Sequence, residues 1–567
     1  MSASRHGWRE PVTSQELWMP VALKSARPRR RSGLRRMAAW VAACAADPAT
    51  SRALVLGFIL LHVALWSRIL TLLKHGQDIH FDIAEAYAWG QQFLLGYGKH
   101  PPLSGWVAGV WFRLFPVADW SAYALAMATV GFSLWVCWRI ALRVVDRRRA
   151  FLVVVMLAIY PIFNFKGYKF NADLVQLATM PVLVLAYLHA FDKRTVLSGI
   201  WLGLAGALAL LAKYWALTMI GAIGIAALLH PQRLAFLRSP APWVAIVAML
   251  GALTPHLWWL WQNDFRPVTY AGGVYEISSR MASLRLAAGY VEHNVGLLLL
   301  PIALAALAVI FPSWRSLALL RHFSKVSRLN WSRAPNLAVN VPRAVHVWII
   351  QIVVAVGPPL GGIVLAIYMK TDWGIPLFFL VPLALVAIPM LHIPRMALFR
   401  IVAIWLMASL FVLAAAPEIA SRTMPVADSS DGVGNEALDG RSELARDLTQ
   451  QWRLRFNTPW PAVVGSTRIS NLMTFYSPDH PTPLAPEEPP SGLITPEQAD
   501  RSGFIGICEM SGPFHRSCDP WMKAHATRGD HIIVTTRRFF NGKPGPAMNW
   551  QVYFVPPAEP APGVPQR

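Results

Sequence analysis

The chain has 567 residues, 55% of them hydrophobic and only 14% charged, with 25 tryptophans and a net charge of +22. Soluble domains carry about a quarter charged residues, so the composition excludes an ordinary soluble protein and points to a polytopic α-helical membrane protein. The charge is no sign of nucleic acid: the basic residues fall in short blocks between apolar runs (Arg27 to Arg36, Arg139 to Arg149, Lys193-Arg194, Arg233 and Arg238, Arg315 to Arg343, Arg395 to Arg400), as the positive-inside rule predicts, and no nucleic-acid-binding motif accompanies them.

Residues 1–50 read as a basic cytoplasmic extension rather than a cleavable signal, and Arg27-Pro-Arg-Arg-Arg31 anchors it inside. The first span is predicted at 53–73. A polar stretch follows on the far side: Asp78-Ile-His-Phe-Asp82-Ile-Ala-Glu85-Ala-Tyr-Ala-Trp89-Gly-Gln-Gln-Phe, then Gly96-Tyr-Gly-Lys99-His100-Pro-Pro-Leu103. A short apolar helix at 103–115 is too short to cross and reads as juxtamembrane or re-entrant. Further spans are expected at 119–141, 150–165, 174–191, 196–212, 214–229, 242–261, 295–312, 345–368, 374–391 and 397–416, giving about 11 and at most about 13 crossings. A second long outer loop, 262–293, carries Asp264, Arg266, Tyr270, Tyr275, Glu276 and Arg280, and the loop 313–344 is basic and cytoplasmic. The parity is odd, which sets every basic block on one side and the C-terminus on the other. The transmembrane domain is thus 51–416. Residues 417–440 read as a linker, and 441–567 as a small extramembrane α/β domain with an amphipathic helix at 437–456 and strands at 461–466, 503–508, 531–536 and 550–555. Cys508 and Cys518 lie in that domain and can pair in an oxidising compartment; Cys44 and Cys137 read as inert. No Cys/His metal spacing is present; no cofactor is expected, and the sequence leaves a metal requirement open.

Ionisable residues are expensive near lipid, so the outer polar segments are candidate functional sites. Three of them could converge on one membrane-edge cavity: Asp82, Glu85, Lys99 and His100 in the first loop; Lys166, Lys169, Asn171 and Asp173 in the second; and Lys213-Tyr214 at the break between the fifth and sixth spans. Carboxylates with cations beside a lipid boundary suit a defined task. A carboxylate takes the proton of a hydroxyl nucleophile while cations neutralise a phosphate leaving group.

Asp82, followed eighteen positions later by His100-Pro-Pro-Leu with Trp89-Gly-Gln and Gly96-Tyr between, resembles the first-loop signature of the GT-C membrane glycosyltransferases, in the family 39-like group of polyprenyl- or dolichyl-phosphate-mannose protein mannosyltransferases and bacterial lipid A aminoarabinose transferases. Phe170-Asn-Ala-Asp173-Leu resembles the second-loop aspartate of that group, and Gly203-Leu-Ala-Gly-Ala-Leu-Ala-Leu-Leu-Ala-Lys213-Tyr214 its Lys-Tyr segment. The group usually has an acidic residue directly after the aspartate; Ile83 stands there in this chain and the next carboxylate is Glu85. The resemblance implies an inverting transfer of a sugar from a polyprenyl-phosphate donor to a hydroxyl of an envelope lipid, glycan or protein, at the periplasmic face of the inner membrane. In it Asp82 is the general base, assisted by Glu85. Lys99, His100 and Lys213 hold the phosphate, and Lys169, Asn171, Asp173 and Tyr214 complete the substrate site. Plain structural roles compete: Asp82 as N-cap of a helix 83–95, Asp173 as cap of the fourth span, Glu85 as a solvated helix residue, His100 as a turn residue and Lys213 as a snorkelling lysine. A transporter or flippase, or a non-catalytic scaffold with an external binding domain, are the rival functions.

Overall fold

In the computed structural model of the chain, the described residues are 33–274, 277, 279–310, 338–389, 391, 393–422, 439–486, 492–510, 515–540, 543–544 and 547–558. The start of the basic extension, most of the 313–344 loop, most of the linker, and Tyr275 and Glu276 of the second outer loop lie outside them.

The membrane part runs α1 (Gly33–Ala46), α2 (Pro48–Leu73), α3 (Phe81–Gly90), α4 (Leu103–Leu114), α5 (Asp119–Val144), α6 (Arg147–Ile159), α7 (Ala172–Lys193), α8 (Val196–Ala212), α9 (Leu217–Leu229), α10 (Arg233–Leu237), α11 (Pro240–Gln262), α12 (Arg266–Val274), α13 (Arg280–Ile310), α14 (Val341–Leu365), α15 (Val381–Val386) and α16 (Arg395–Arg422). Among the described residues, seven helices are long and apolar enough to cross a membrane: α2, α5, α7, α11, α13, α14 and α16. The starts follow local chemistry. Asp47 accepts from the Thr50 N–H ahead of Pro48, Asn171 from the Leu174 N–H, and Thr195 forms a capping box with Ser198, each satisfying donors that a helix start leaves orphaned. Depth in the bundle separates the helices. The apolar windows of α5 and α7 are 67% and 78% buried within the protein, those of α11 and α13 only 22%. In α6 every residue from Arg149 to Ile159 is buried. The first set forms the core, and the second turns its apolar side chains outward, as a lipid-facing helix does.

Several expected boundaries move. Among the described residues the span expected at 374–391 holds no long helix: a 3₁₀ turn, Thr371–Gly374, ends at its start and the six-residue α15 lies within it, because Pro376, Pro382 and Pro389 break the helical hydrogen-bond ladder. The segment still traverses the bundle. Asp372 at one end lies 3.7 Å from Lys169, while Val386 and Leu391 at the other accept from the Arg149 guanidinium at the start of α6. The span expected at 295–312 begins at Arg280, absorbing polar residues that read as loop. The helix expected at 83–95 is α3, Phe81–Gly90.

The C-terminal region holds α17 (Arg441–Phe456), β1 (Ala462–Gly465), α18 (Thr467–Tyr476), β2 (Thr482–Leu484), α19 (Pro496–Ser502), β3 (Phe504–Glu509), α20 (His515–His525), β4 (Asp530–Thr536), a small ribbon of β5 (Phe539–Phe540) and β6 (Lys543–Pro544), and β7 (Met548–Val555). The main sheet has the order β2-β1-β3-β7-β4; β1 runs parallel to β2 and β3, and β7 antiparallel to β3 and β4. Strand residues alternate between two apolar layers. Val463, Ile505, Ile507, Trp550, Val552 and Phe554 pack with α17 and α18; Ala462, Val464, Phe504, Cys508, Tyr553 and Val555 pack with Ala499 of α19 and Met522 of α20. This period of two makes a three-layer α/β/α unit. Cys508 and Cys518 are joined as a disulfide that ties the start of α20 to β3.

Candidate active site

Asp82 sits in the first turn of α3. The cap of that helix is His80, whose Nδ1 accepts the Asp82 backbone N–H at 3.2 Å. The Asp82 carboxylate is therefore free of the capping role that competed for it, and lies where the helix dipole favours an anion. A close crossing fixes α3 against α4: a Cβ on Gly90 would stand 2.5 Å from the Gly109 nitrogen, so only glycine fits. Trp89 stacks on Tyr97 at 4.9 Å, and the Tyr97 hydroxyl donates to the Trp89 carbonyl at 2.6 Å. These contacts fold residues 91–100 back over α3, so that Lys99 Nζ reaches Glu85 Oε1 at 3.0 Å.

Asp82 gathers partners from the second outer segment. Asn171 Nδ2 donates to Oδ2 at 2.8 Å, and because Asn171 Oδ1 accepts the Leu174 N–H at 3.1 Å, one amide caps α7 and fixes the carboxylate together. Lys169 Nζ lies 3.7 Å from Asp82 Oδ2 and 3.7 Å from Asp372 Oδ2. Burial pushes the Asp82 carboxyl up, but His80, Lys169, the Asn171 hydrogen bond and Lys370 outweigh it and hold it at about 2. Burial pushes His80 down to about 4, so at neutral pH its ring is neutral, consistent with an Nδ1 that accepts a hydrogen bond. It becomes a cation only in acid, where it opposes protonation of Asp82.

Two further pairs stand beside this cluster. Lys213 Nζ bonds Asp173 Oδ1 at 2.8 Å and lies 5.6 Å from the Trp373 ring centre; Gln176 Nε2 holds the Lys213 carbonyl at 2.6 Å at the end of α8. Asp173 thus pairs with Lys213, while the cap of α7 is Asn171. His100 is pushed by burial, and by the field of Lys213 and Lys99, down to about 3, so it enters the site as a neutral hydrogen-bonding ring. The Tyr214 hydroxyl bonds His256 Nε2 at 2.8 Å, and His256 Nδ1 donates to the Leu95 carbonyl at 2.7 Å, so Tyr214 braces the first loop from the α8–α9 break. Lys166 pairs instead with His293 on α13 at 3.1 Å.

The sequence reading passed over His80, Lys370 and Asp372. Lys370 acts electrostatically on Asp82, His80 and His100, and Asp372 shares Lys169. For Lys370 and Asp372 a signal was present: a lysine and an aspartate two positions apart, Met369-Lys-Thr-Asp-Trp373, in the gap between two apolar segments on the Asp82 side. The site therefore joins four carboxylates (Asp82, Glu85, Asp173, Asp372) with four lysines (Lys99, Lys169, Lys213, Lys370), supplied by five separate segments. Among the described residues no group of three or more His, Cys, Asp or Glu side chains is placed to hold a metal ion.

Residues 99–259 match the sequence model of the dolichyl-phosphate-mannose-protein mannosyltransferase family; that range includes Lys99, His100, Lys169, Asn171, Asp173, Lys213 and Tyr214, and begins after Asp82 and Glu85. The lipid A galacturonosyltransferase RgtD of Rhizobium johnstonii is 27% identical over 251 residues, covering 42% of this chain and 49% of that protein. The chain thus matches about half the length of this curated relative. ArnT from Cupriavidus metallidurans, solved bound to undecaprenyl phosphate, superposes with a TM-score of 0.54 at 13% identity, over 87% of this chain and 98% of that one. Its apo structure superposes with the same TM-score at 12% identity. The chain is thus a polytopic membrane protein with the fold of ArnT across most of its length, and its residues 99–259 match the mannosyltransferase family model.

Proposed function

We propose that the protein is an inverting glycosyltransferase that moves a pentose or hexose from a polyprenyl-phosphate carrier to a hydroxyl of a cell-envelope acceptor. The observation that carries this reading is the setting of Asp82. It is a largely buried carboxylate, held ionised by Lys169 and Asn171, at the mouth of an apolar bundle and among lysines suited to a phosphate. The relative RgtD, a lipid A galacturonosyltransferase, supports a glycolipid as acceptor; ArnT bound to undecaprenyl phosphate supports a polyprenyl phosphate as carrier.

In this mechanism the acceptor oxygen attacks the anomeric carbon as the bond from that carbon to the phosphate oxygen breaks. The electron pair stays on the phosphate, which leaves as polyprenyl monophosphate, and the acceptor proton passes to Asp82. One displacement inverts the centre and needs one base, not the carboxylate pair of a retaining enzyme. Lys99 and Lys213 neutralise the developing phosphate charge, with His100 donating a hydrogen bond. In the unliganded site each of these lysines is matched by a carboxylate, Glu85 and Asp173. Glu85 accordingly serves to hold Lys99, and Asp173 to hold Lys213. The phosphate draws the lysines' charge toward itself, and as it competes for the field around Asp82 it makes that carboxylate a stronger base when the donor is bound.

The basic blocks support a cytoplasmic position for the Arg149 side. The Asp82 side and the C-terminal domain then face the periplasm of an inner membrane, where the Cys508–Cys518 disulfide suits an oxidising compartment. The test is mass spectrometry of envelope glycolipids from a deletion strain complemented with the wild-type chain or with Asp82→Asn. The wild type restores a one-sugar mass increment and the variant, at equal membrane abundance, does not. Restoration by Asp82→Asn would overturn the assignment.

A further inference from the structure

Apart from the lysine–carboxylate cluster, the most deeply buried acidic side chain near the site is Asp78, four residues before Asp82, with no side-chain exposure. Among the described residues, its hydrogen-bond partners come from the C-terminal domain. Oδ1 pairs with the Arg538 guanidinium. Oδ2 accepts the backbone N–H groups of Arg441 and Ser442 at 3.0 and 3.4 Å. Those are the first two residues of α17, whose own N-cap, Gly440, has no side chain to offer. The first loop of the membrane domain therefore caps a helix that lies more than 360 residues further along the chain.

Neighbouring contacts extend this clamp along the loop. The Ile79 N–H donates to the Tyr476 hydroxyl at the end of α18, at 2.8 Å. Arg468 lies 5.1 Å from the ring centre of Phe81, the residue adjoining Asp82. Further on, Tyr87 meets Phe475 edge-on at 5.5 Å, and Gln92 Nε2 donates to the Leu493 carbonyl at 2.8 Å. The C-terminal domain thus holds α3 ahead of Asp82, along its length and beyond its end. A buried ion pair that loses one partner leaves an uncompensated charge, so the loop geometry depends on the domain being seated.

We infer that the C-terminal domain is a positioning element for the active site, and that Asp78, Arg538 and Tyr476 are positioning residues that fix the first turn of α3, and with it the Asp82 carboxylate, relative to Asn171 and Lys169. The inference rests on the reading of Asp82 as the base and assigns the domain a part in turnover rather than in donor binding. Displacing a reacting group by about 1 Å costs on the order of a hundredfold in rate. Loosening one of several anchors is therefore expected to lower turnover by roughly ten- to a hundredfold while leaving the phosphate site intact.

The experiment uses membranes carrying the full chain as wild type, Arg538→Ala, Arg538→Lys, Tyr476→Phe or Asp82→Asn. Three quantities are followed: the rate of the glycolipid mass increment from pH 5 to 8, binding of undecaprenyl phosphate, and the thermal midpoint. The expected result is a lower rate in Arg538→Ala and Tyr476→Phe, unchanged undecaprenyl phosphate binding, partial recovery in Arg538→Lys, and a rate that falls more steeply toward pH 5 than in the wild type, as Asp82 loses the alignment with Asn171 and Lys169 that keeps it ionised. A merely structural role would lower the amount of folded protein and leave the shape of the pH profile unchanged, which would overturn the inference. Tyr476→Phe removes a single oxygen and supplies the measurement should Arg538→Ala fail to fold; full turnover in Tyr476→Phe together with an unaltered pH profile would also overturn it. Inactivity of Asp82→Asn combined with wild-type behaviour of the clamp variants would defeat this inference alone, whereas an active Asp82→Asn would defeat the reading on which it rests.

Discussion

The two ends of the helical bundle are both rich in charge, yet they use it differently. On the side of the basic blocks the cations are arginines that bind backbone carbonyls and a shared carboxylate. Arg149 donates to the carbonyls of Val386 and Leu391, Arg400 to that of Ala308, Arg343 to that of Arg143, and Arg143 and Arg343 both hold Asp192. On the Asp82 side the cations of the candidate site itself are lysines, paired with carboxylates. A guanidinium forms a fixed fork that joins chain ends; an ammonium is a point charge on a flexible stem that can exchange one anion for another. The first end is built to stay closed, and the second to accept an incoming phosphate.

Mutations that separate these two uses of charge test the comparison. The largest effect is expected from Asp82→Asn: a rate loss of about 10²–10⁴-fold, typical of a missing general base, with undecaprenyl phosphate binding retained; it is read from initial rates of glycolipid modification. Next, Lys99→Met or Lys213→Met removes a charge-assisted contact of about 1.5–3 kcal/mol. Each is expected to weaken undecaprenyl phosphate binding by roughly ten- to a hundredfold, measurable by titration in nanodiscs. Glu85→Gln should not weaken binding, because it frees Lys99 from a competing anion.

A smaller effect is expected in the pH profile. His80, Lys169 and Asn171 hold Asp82 in the unliganded site near 2, below the 3.8 of a free carboxyl, so the wild-type kcat/KM should not fall through Asp82 protonation between pH 7 and 5. Removing Lys169 or Asn171 raises that pKa. Asn171→Ala and Lys169→Met should therefore show an acid limb that climbs toward neutral pH, seen as a lower ratio of the rate at pH 5 to that at pH 7. The smallest effect on turnover is expected at the opposite end. Arg149→Lys keeps the charge but loses the fork to two carbonyls, and should lower the thermal midpoint, by about 1–2 kcal/mol of stability, with unchanged rate per folded molecule. A rate loss there matching that of the Lys99 variant would erase the distinction between the two ends.

Much of the site was legible because its chemistry is local in sequence. Asp82, Glu85, Lys99 and His100 sit within one polar loop between apolar runs, and Asn171, Asp173 and Lys213 lie at span ends that parity assigns to the same side. What was not legible was the pairing. The neutral state of His80, the sharing of Lys169 between Asp82 and Asp372, and the division of labour between Asn171 as cap and Asp173 as lysine partner all depend on distances between segments far apart in the chain. The short β2 and α18 escaped notice because three-residue strands and ten-residue helices carry too few positions for a period to show. α15 was overread as a long span because its hydropathy is continuous while its prolines interrupt the backbone.

By itself the sequence determined the membrane class, the grouping of the basic residues into blocks between apolar runs, and the polar loop that carries the candidate residues Asp82, Glu85, Lys99 and His100, because hydropathy, charge blocks and motif spacing are properties of contiguous residues. Only the tertiary structure decided which lysine answers which carboxylate, that the proline-broken segment 371–391 closes the site from one side, and that the C-terminal domain grips the loop carrying Asp82. Those outcomes depend on which side chains meet at about 3 Å across hundreds of residues, and burial then sets the charge that each one keeps.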